Sequence, residues 1–495
     1  MRIIKLLPVF FILGACTKQS QYPTLTQQQM REDFEFTMQM LHDCGAMFHT
    51  KEYLTGINPF KEAQRVFDAN IDTVTTFKGF CDVMQCVLSC MCDQHTGFST
   101  PNEDIVHISD EIRKKNEDLW EWMMCYSMGG LPVKYIDGHY YCWYVPLTIR
   151  DNKTRNTIDT LPLGTKILGI DGHDMRWFEQ NLTTNSARWS RKDRHYVLDD
   201  LFYSPFVDGK IWHIHRPGNC EAEDLDKEEA STCFSGTLYK DHSTHKTEIF
   251  PGDVLYIRIP LMDVEDFEPV AQKLAQMQGF KPSKVIVDVR RNQGGSDRTW
   301  ERLLSLLIAE PFEMRNQLVL PRSQAVADML VLYSDRYPTM ADFSPFTHQF
   351  LPTDMEFMMC ENIRRIEPDS ASLRYDGPIY LMVSDRIYSS TLAFLAAFNR
   401  LPNGISVGEP TGWYGGCGLN PFYFCMPNSQ LTFRMEGFAD FTDVQQPEDL
   451  LHDRVKVEIV PSIAERAHAN AYTGERYSYE YMSQHDTVFK YVMAQ

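Results

Sequence analysis

Positive charge is scarce in this 495-residue chain: 48 Lys and Arg stand against 67 Asp and Glu, a formal net charge of −19. Gripping a nucleic-acid backbone requires a basic face that displaces counterions, so general nucleic-acid binding is excluded. Glycine, at 27 residues, is too sparse for collagen, and no heptad pattern is sustained. Disorder is excluded by the 12% aromatic and 43% hydrophobic content. Long apolar runs are missing too. Nothing beyond residue 16 approaches the ~20 apolar residues of a membrane helix, so that part is expected to be soluble. The apolar material suffices for ordinary cores, and the length suggests roughly three domains at about 150 residues each. There is no internal repeat and no low-complexity segment.

The first sixteen residues read as an address. Arg2 and Lys5 precede a short apolar stretch, Leu6 to Leu13, which ends in Leu13-Gly14-Ala15-Cys16. This resembles the lipobox of bacterial lipoproteins. The resemblance implies cleavage before Cys16 and a diacylglycerol on its sulfur, with the further acyl chain that lasting attachment needs. Residues 1–15 are then a signal peptide. The protein is expected in the cell envelope, lipid-anchored at the outer membrane and facing either the periplasm or the outside. An ordinary secretion signal is the alternative. Thirteen cysteines suit an exported protein. Cys220 and Cys233 flank an acidic run, Glu221 to Glu229, and could close that loop. Cys86, Cys90, Cys92 and His95 suggest a zinc quartet, but C-x3-C-x-C-x2-H is not a usual zinc spacing, and cysteine also serves as a small buried hydrophobe.

Three further segments follow from patterning. Residues 16–115 read as a helical domain. Thr26-x-x-Gln29 forms a capping box with Leu25 and Met30 as its staple, and Met30, Phe34, Met38 and Leu41 recur at helical spacing. Phe80, Met84, Val87 or Leu88, and Met91 repeat the pattern, with His95 just past the helix end. Residues 116–249 are β-rich. Within them Leu161 to Gly172 reads as turn, strand (Ile167 to Ile170) and Asp-Gly turn, similar to a segment of PDZ domains, which bind extended peptides at a sheet edge. His213 and His215 share one face of a strand and are read as surface or core residues. Residues 250–495 alternate strand and helix. Val254–Pro260, Val285–Val289, Ile379–Val383 and Ile405–Val407 are strands; Phe267–Met277, Arg298–Ile308 and Leu392–Phe398 are helices. That alternation implies a layered α/β core.

Three pieces bear chemistry. Asp288-Val-Arg-Arg-Asn-Gln-Gly-Gly295 follows a buried strand, and paired glycines there allow a tight turn with outward N–H groups able to hold an oxyanion. The lysine and Ser/Thr of a phosphate loop are missing. Ser384-Asp-Arg-Ile-Tyr-Ser-Ser-Thr391 joins a strand to a helix. A serine there is ordinarily an N-cap, but a sharp strand-to-helix turn also exposes a nucleophile. His95 is a candidate general base.

In this order the pieces resemble the tail-specific, or C-terminal processing, serine protease family in its tricorn-core-like branch. The likeness runs through Asp93-x-His95-Thr96, the PDZ-like segment, Asp288-x-Arg-x-Asn-x-Gly-Gly295, the Ser-Ser pair and Gly408-Glu-Pro-Thr411. It implies an α/β multidomain fold with a core related to the ClpP/crotonase superfamily. Carried onto this chain, Ser390 is the nucleophile and His95 its base. Gly294 or Gly295 with the Thr391 N–H forms the oxyanion hole. The Lys-dependent branch places a lysine after Gly-Glu-Pro-Thr; Gly415 stands in that place, which leaves a Ser-His pair. The glutamate that follows the motif in many relatives is missing from Ser390-Thr-Leu-Ala393. Glu448 is taken as the acid that orients His95, with Asp449 and Glu409 as competitors. The expected activity is hydrolysis of peptide bonds in peptide or protein substrates by an anchored serine peptidase without metal or organic cofactor. A non-catalytic peptide-binding lipoprotein on the same fold is the alternative reading, and a zinc hydrolase built on the Cys86–His95 cluster is a third.

Overall fold

The structure, a computed structural model, describes residues 23–99, 109–117, 133–142, 147–151, 153–154, 156–181, 187–198, 211–226, 230–234, 244–414, 416 and 418–495. Cys16 and Gly415 lie outside these residues, as does the side chain of Cys233.

Helices α1 (Gln27–Cys44), α2 (Ala46–Thr55), α3 (Pro59–Asn70) and α4 (Phe77–Ser89) open the chain. The Thr26–Gln29 capping box is formed at α1, and Asn58 caps α3 with Pro59 at its first position. The stripes read from the sequence face inward: Met30, Phe34 and Leu41 on α1, and Phe80, Met84 and Val87 on α4, are buried. These helices do not pack only on one another. Their apolar cluster continues through Leu318, Phe357, Phe433 and Leu450, far along the chain. After α4 the backbone turns into a two-residue strand, β1 (Gly97–Phe98).

The β-rich middle contains an antiparallel sheet. Its order is Glu223–Asp226, Ile211–His215, β3 (Lys166–Ile170), His139–Cys142 and β2 (Val133–Ile136). Asp171 and Gly172 both have positive φ, +50° and +79°, and reverse the chain so that Ile170 pairs with His173. A two-residue loop with two positive φ values has the twist that a hairpin requires. His213 and His215 lie on exposed or half-buried ground, bound to Asp224 Oδ1 at 2.8 Å and the Asn219 carbonyl at 2.9 Å.

The C-terminal half is a three-layer α/β unit. It runs β4 (Lys246–Phe250), β5 (Val254–Arg258), α5 (Val264–Gln276), β6 (Lys284–Asp288), α6 (Asp297–Leu307), β7 (Ile379–Val383), α7 (Ser390–Phe398) and β8 (Gly404–Gly408). Then come β9 (Phe422–Cys425), β10 (Thr432–Met435), β11 (Val457–Glu458), α8 (Ile463–Ala471), α9 (Tyr479–His485) and α10 (Thr487–Ala494). The sheet order is β4-β5-β6-β7-β8-β11, parallel except for β4 against β5. Both faces are covered, so the strands are apolar almost throughout. Leu255, Val285, Val287 and Leu381 meet Trp300, Leu303 and Phe394 of α6 and α7. Tyr256, Ile286, Met382 and Val407 face Tyr481, Phe489 and Val492 of α9 and α10. At roughly 1.5–3 kcal/mol per fully buried large apolar side chain, these two faces hold the strand ends, and the loops that leave them, in fixed positions. Between α6 and β7 a long hairpin pairs Phe312–Pro321 with Phe357–Ile366. No helix among the described residues is long and apolar enough to cross a membrane.

Candidate active site

Three strands set the geometry around His95. The short β1 pairs antiparallel with β10, Gly97 opposite Arg434 and Phe98 opposite Phe433, and β10 pairs with β9. Continuing that register by two residues sets His95 opposite Glu436, the first residue after β10. The His95 ring receives contacts on both nitrogens: Nδ1 is 2.7 Å from Glu436 Oε2, and Nε2 is 3.2 Å from Ser389 Oγ. The glutamate side chain is fully buried and the imidazole nearly so.

Asp93 explains why the histidine stays in place. One carboxylate oxygen accepts the His95 backbone N–H at 3.2 Å and the Tyr388 hydroxyl at 2.5 Å; the other accepts the Thr96 hydroxyl at 2.5 Å. Thr96 Oγ1 in turn accepts the Glu436 N–H at 3.4 Å. The Asp-x-His-Thr run is thus a brace that fastens the histidine turn to the acid on one side and to the serine loop on the other.

Ser389 itself is strained. Its φ of +54° and ψ of −129° lie outside the regions ordinary residues adopt, and it is the N-cap of α7. A sharp strand-to-helix turn of this kind lifts the hydroxyl clear of the backbone. Gly294 lies against it: a Cβ on Gly294 would come 2.6 Å from Ser389 Cβ. Gly295, at φ +132°, would place its own Cβ 2.3 Å from the Met262 carbonyl oxygen. Both positions therefore demand glycine. The Gly294 N–H is held by Asn292 Oδ1 at 2.8 Å, and the Thr391 N–H is donated to the Tyr388 carbonyl at 3.1 Å. The amides of Gly295, which is exposed, and of Ser390, the first residue of α7, are among those without an acceptor among the described residues.

The sequence-derived site is therefore redrawn at four points. His95 meets a serine, but that serine is Ser389. Ser390 is one step into the helix, buried, and its Oγ has no hydrogen-bond partner. Glu448 lies elsewhere and pairs with Arg194 at 3.2 Å. Asp449 holds Arg454, and Glu409 is enclosed by Lys134 and Arg466. Glu436, unnoticed in the sequence, is the acid in contact. Of the three predicted oxyanion donors only Gly295 offers a free amide, and Ser390 replaces Thr391 as the helix donor. Burial pushes the Glu436 carboxyl up, and the His95 contact draws it back. Cys86, Cys90 and Cys92 are buried, and the thiols of Cys90 and Cys92 turn toward backbone carbonyls. No metal-holding cluster of three or more His, Cys, Asp or Glu occurs among the described residues. Cys220 is a free, exposed thiol.

A strained serine at a helix start, a histidine bridging it to a buried carboxylate, and free amides beside it form the constellation that acyl transfer requires. Residues 253–444 match the description Peptidase family S41. That span is a Peptidase family S41 domain. The chain is a serine-type peptidase, a hydrolase. Its fold is similar to "mature CPAF complexed with lactacystin" (14% identity, TM-score 0.57), with 94% of this chain and 98% of that one covered. It is similar also to another structure of mature CPAF (13%, 0.56), covering 94% and 97%. No curated protein matches by sequence. The matched span holds β5 to β10, the Gly294-Gly295 and Ser389 loops and Glu436; β4, β11, α8 to α10 and His95 lie outside it.

Proposed function

We propose that this peptidase works through a Ser389–His95–Glu436 triad. Ser389 Oγ attacks the scissile carbonyl carbon while His95 Nε2 takes its proton. Glu436 holds the Nδ1–H and stabilises the imidazolium. The carbonyl oxygen, now negative, receives the Gly295 and Ser390 N–H groups, each worth roughly 3–4 kcal/mol when well placed. His95 then protonates the leaving amine. Water, deprotonated by the same nitrogen, releases the acyl group and restores the serine. The observation that carries this reading is the histidine in contact with a strained serine and a buried glutamate at once.

The substrate is a peptide or protein, consistent with the family. The six-stranded antiparallel sheet with its Asp171-Gly172 hairpin supports a PDZ-like role in presenting an extended chain to the site. The Leu13-Gly-Ala-Cys16 motif supports a lipid anchor in the cell envelope.

Fluorophosphonate labelling tests the nucleophile. Wild type and Ser390→Ala are expected to label, and Ser389→Ala is not. Labelling that survives in Ser389→Ala and disappears in a folded Ser390→Ala would return the role to Ser390.

A further inference from the structure

A cavity of about 170 Å³ lies at the carboxyl ends of the parallel strands and is roofed by residues of α8 and α9. No triad residue lines it. Its wall carries five guanidinium groups, those of Arg290, Arg291, Arg386, Arg466 and Arg476, against four carboxylates. In a chain of net charge −19 such a gathering of cations runs against the average.

The carboxylates are already engaged. Asp486 holds Arg290 at 2.5 Å and caps α10 through the Phe489 N–H at 2.9 Å. Glu465 accepts the Thr487 N–H and hydroxyl at 2.8 and 2.6 Å. Glu409 and Asp385 face Lys134, which stands behind the wall, and both also pair with Arg466 of the wall itself. A second cation backs the other side. Arg258 is 1% exposed, and none of its guanidinium nitrogens makes a hydrogen bond. It lies 3.3 Å from the centre of the Tyr477 ring and 3.5 Å from Asp288 Oδ1, and Tyr477 lines the cavity. Planar guanidinium groups converging on a small space suit an oxyanion, which they can bind through paired N–H donors.

The cavity wall also connects to the chemistry. Arg291 and Arg386 both donate their backbone N–H to Ser384 Oγ, at 3.1 and 3.2 Å. One hydroxyl thereby joins the loop that ends in Gly295 to the loop that ends in Ser389. We propose that the cavity is an effector site for a small oxyanion, phosphate or a free carboxylate, whose binding sets the spacing of the two loops that form the oxyanion hole. The regulatory limb rests on the active site assigned above; the binding limb does not.

Two readouts on the full chain test it, thermal melting and kcat, at ionic strength fixed with NaCl. The probes are inorganic phosphate, N-acetylalanine, and N-acetylalanine amide as the uncharged control. The expected result is a saturable rise in Tm with at least one anion, none with the amide, and a change in kcat of twofold or more over the same concentrations. Phosphate alone would identify a free inorganic ion as the source, and N-acetylalanine alone a peptide end. Arg476→Gln, at a half-buried position away from the triad, should abolish both responses, and Arg476→Lys should keep part of them. The site is refuted if neither anion raises Tm above NaCl, or if Arg476→Gln responds as wild type does. A Tm rise with unchanged kcat would overturn the regulatory limb. An inactive but anion-stabilised protein would sink the peptidase mechanism and leave the binding site standing.

Discussion

Replacing Glu436 by Gln separates two effects that a buried carboxylate beside the proposed general base combines. The carboxylate lies 2.7 Å from His95 Nδ1 with its side chain fully buried. Glutamine keeps the shape and an acceptor oxygen for the Nδ1–H but removes the charge opposite the imidazolium formed during attack. With charge centres roughly 4 Å apart and an effective dielectric of about 20, that charge is worth about 4 kcal/mol, so kcat/KM should fall about 10³-fold. Stability should move the other way. Burial raises the Glu436 carboxyl above its ordinary range. A group raised on folding adds stability that is present below its unfolded pKa and lost as pH rises through the folded one. Ionised Glu436 therefore weakens the fold at neutral and alkaline pH, and Glu436→Gln should melt higher than wild type at pH 8. The gain should vanish below about pH 4, where glutamate is neutral in both states. Hydrolysis of a chromogenic peptide and melting curves across pH measure the two halves. If Glu436→Gln keeps activity within about threefold of wild type, or Glu448→Gln loses as much, the assignment of the acid is wrong.

Gly295→Ala should be damaging twice over: its methyl would meet the Met262 carbonyl at 2.3 Å and φ +132° is strained for alanine, so about 1–3 kcal/mol of stability and 10²–10³ in kcat should be lost. Gly56→Ala is the control, at φ +72° in open space, and should cost about 1 kcal/mol by urea titration with kcat unchanged. Lys134, in strand β2, is buried between Asp385 and Glu409, so Lys134→Met should leave two carboxylates short of a partner and cost about 3–5 kcal/mol; urea unfolding reads this. Although burial opposes it, Lys134 and Arg466 hold the Glu409 carboxyl down to about 2. Its contribution is present above the ordinary glutamate range and is lost as pH falls from about 4.3 toward 2. Glu409→Gln should therefore flatten the acid side of the stability profile.

Much of the fold was legible because both faces of the core sheet are covered. Val285 to Val289 and Ile379 to Val383 are uninterrupted apolar runs for that reason, and the observed strands lie within one residue of them. Helix starts were legible where a side chain closes the end, as Thr26 does. The extent of the N-terminal helices was not. Their stripes predict burial, but the partner, Phe433 or Leu450, lies hundreds of residues away and leaves no mark at the stripe itself.

The active site divides along the same line. His95 stood out because its function is written locally: Asp93 and Thr96 must sit two residues before and one after it to brace it. Ser389 and Ser390 are adjacent, and composition cannot tell an N-cap from the first helical residue. Only the backbone does so, by placing φ +54° on Ser389 and a helical amide on Ser390. Glu436 had one faint signal, a charged residue between the alternating strand Thr432–Met435 and Gly437. What brings it to His95 is the pairing of β1 with β10, a register that joins positions 341 residues apart. Shifting that register by a single residue would turn every side chain of β1 and β10 to the opposite face. The apolar pair Phe98–Phe433 excludes such a slip, since both rings are buried. The contact between His95 and Glu436 is thus enforced by two phenylalanines with no chemistry of their own. Phe433→Ala should lower kcat by loosening that contact while leaving His95 and Glu436 in the sequence.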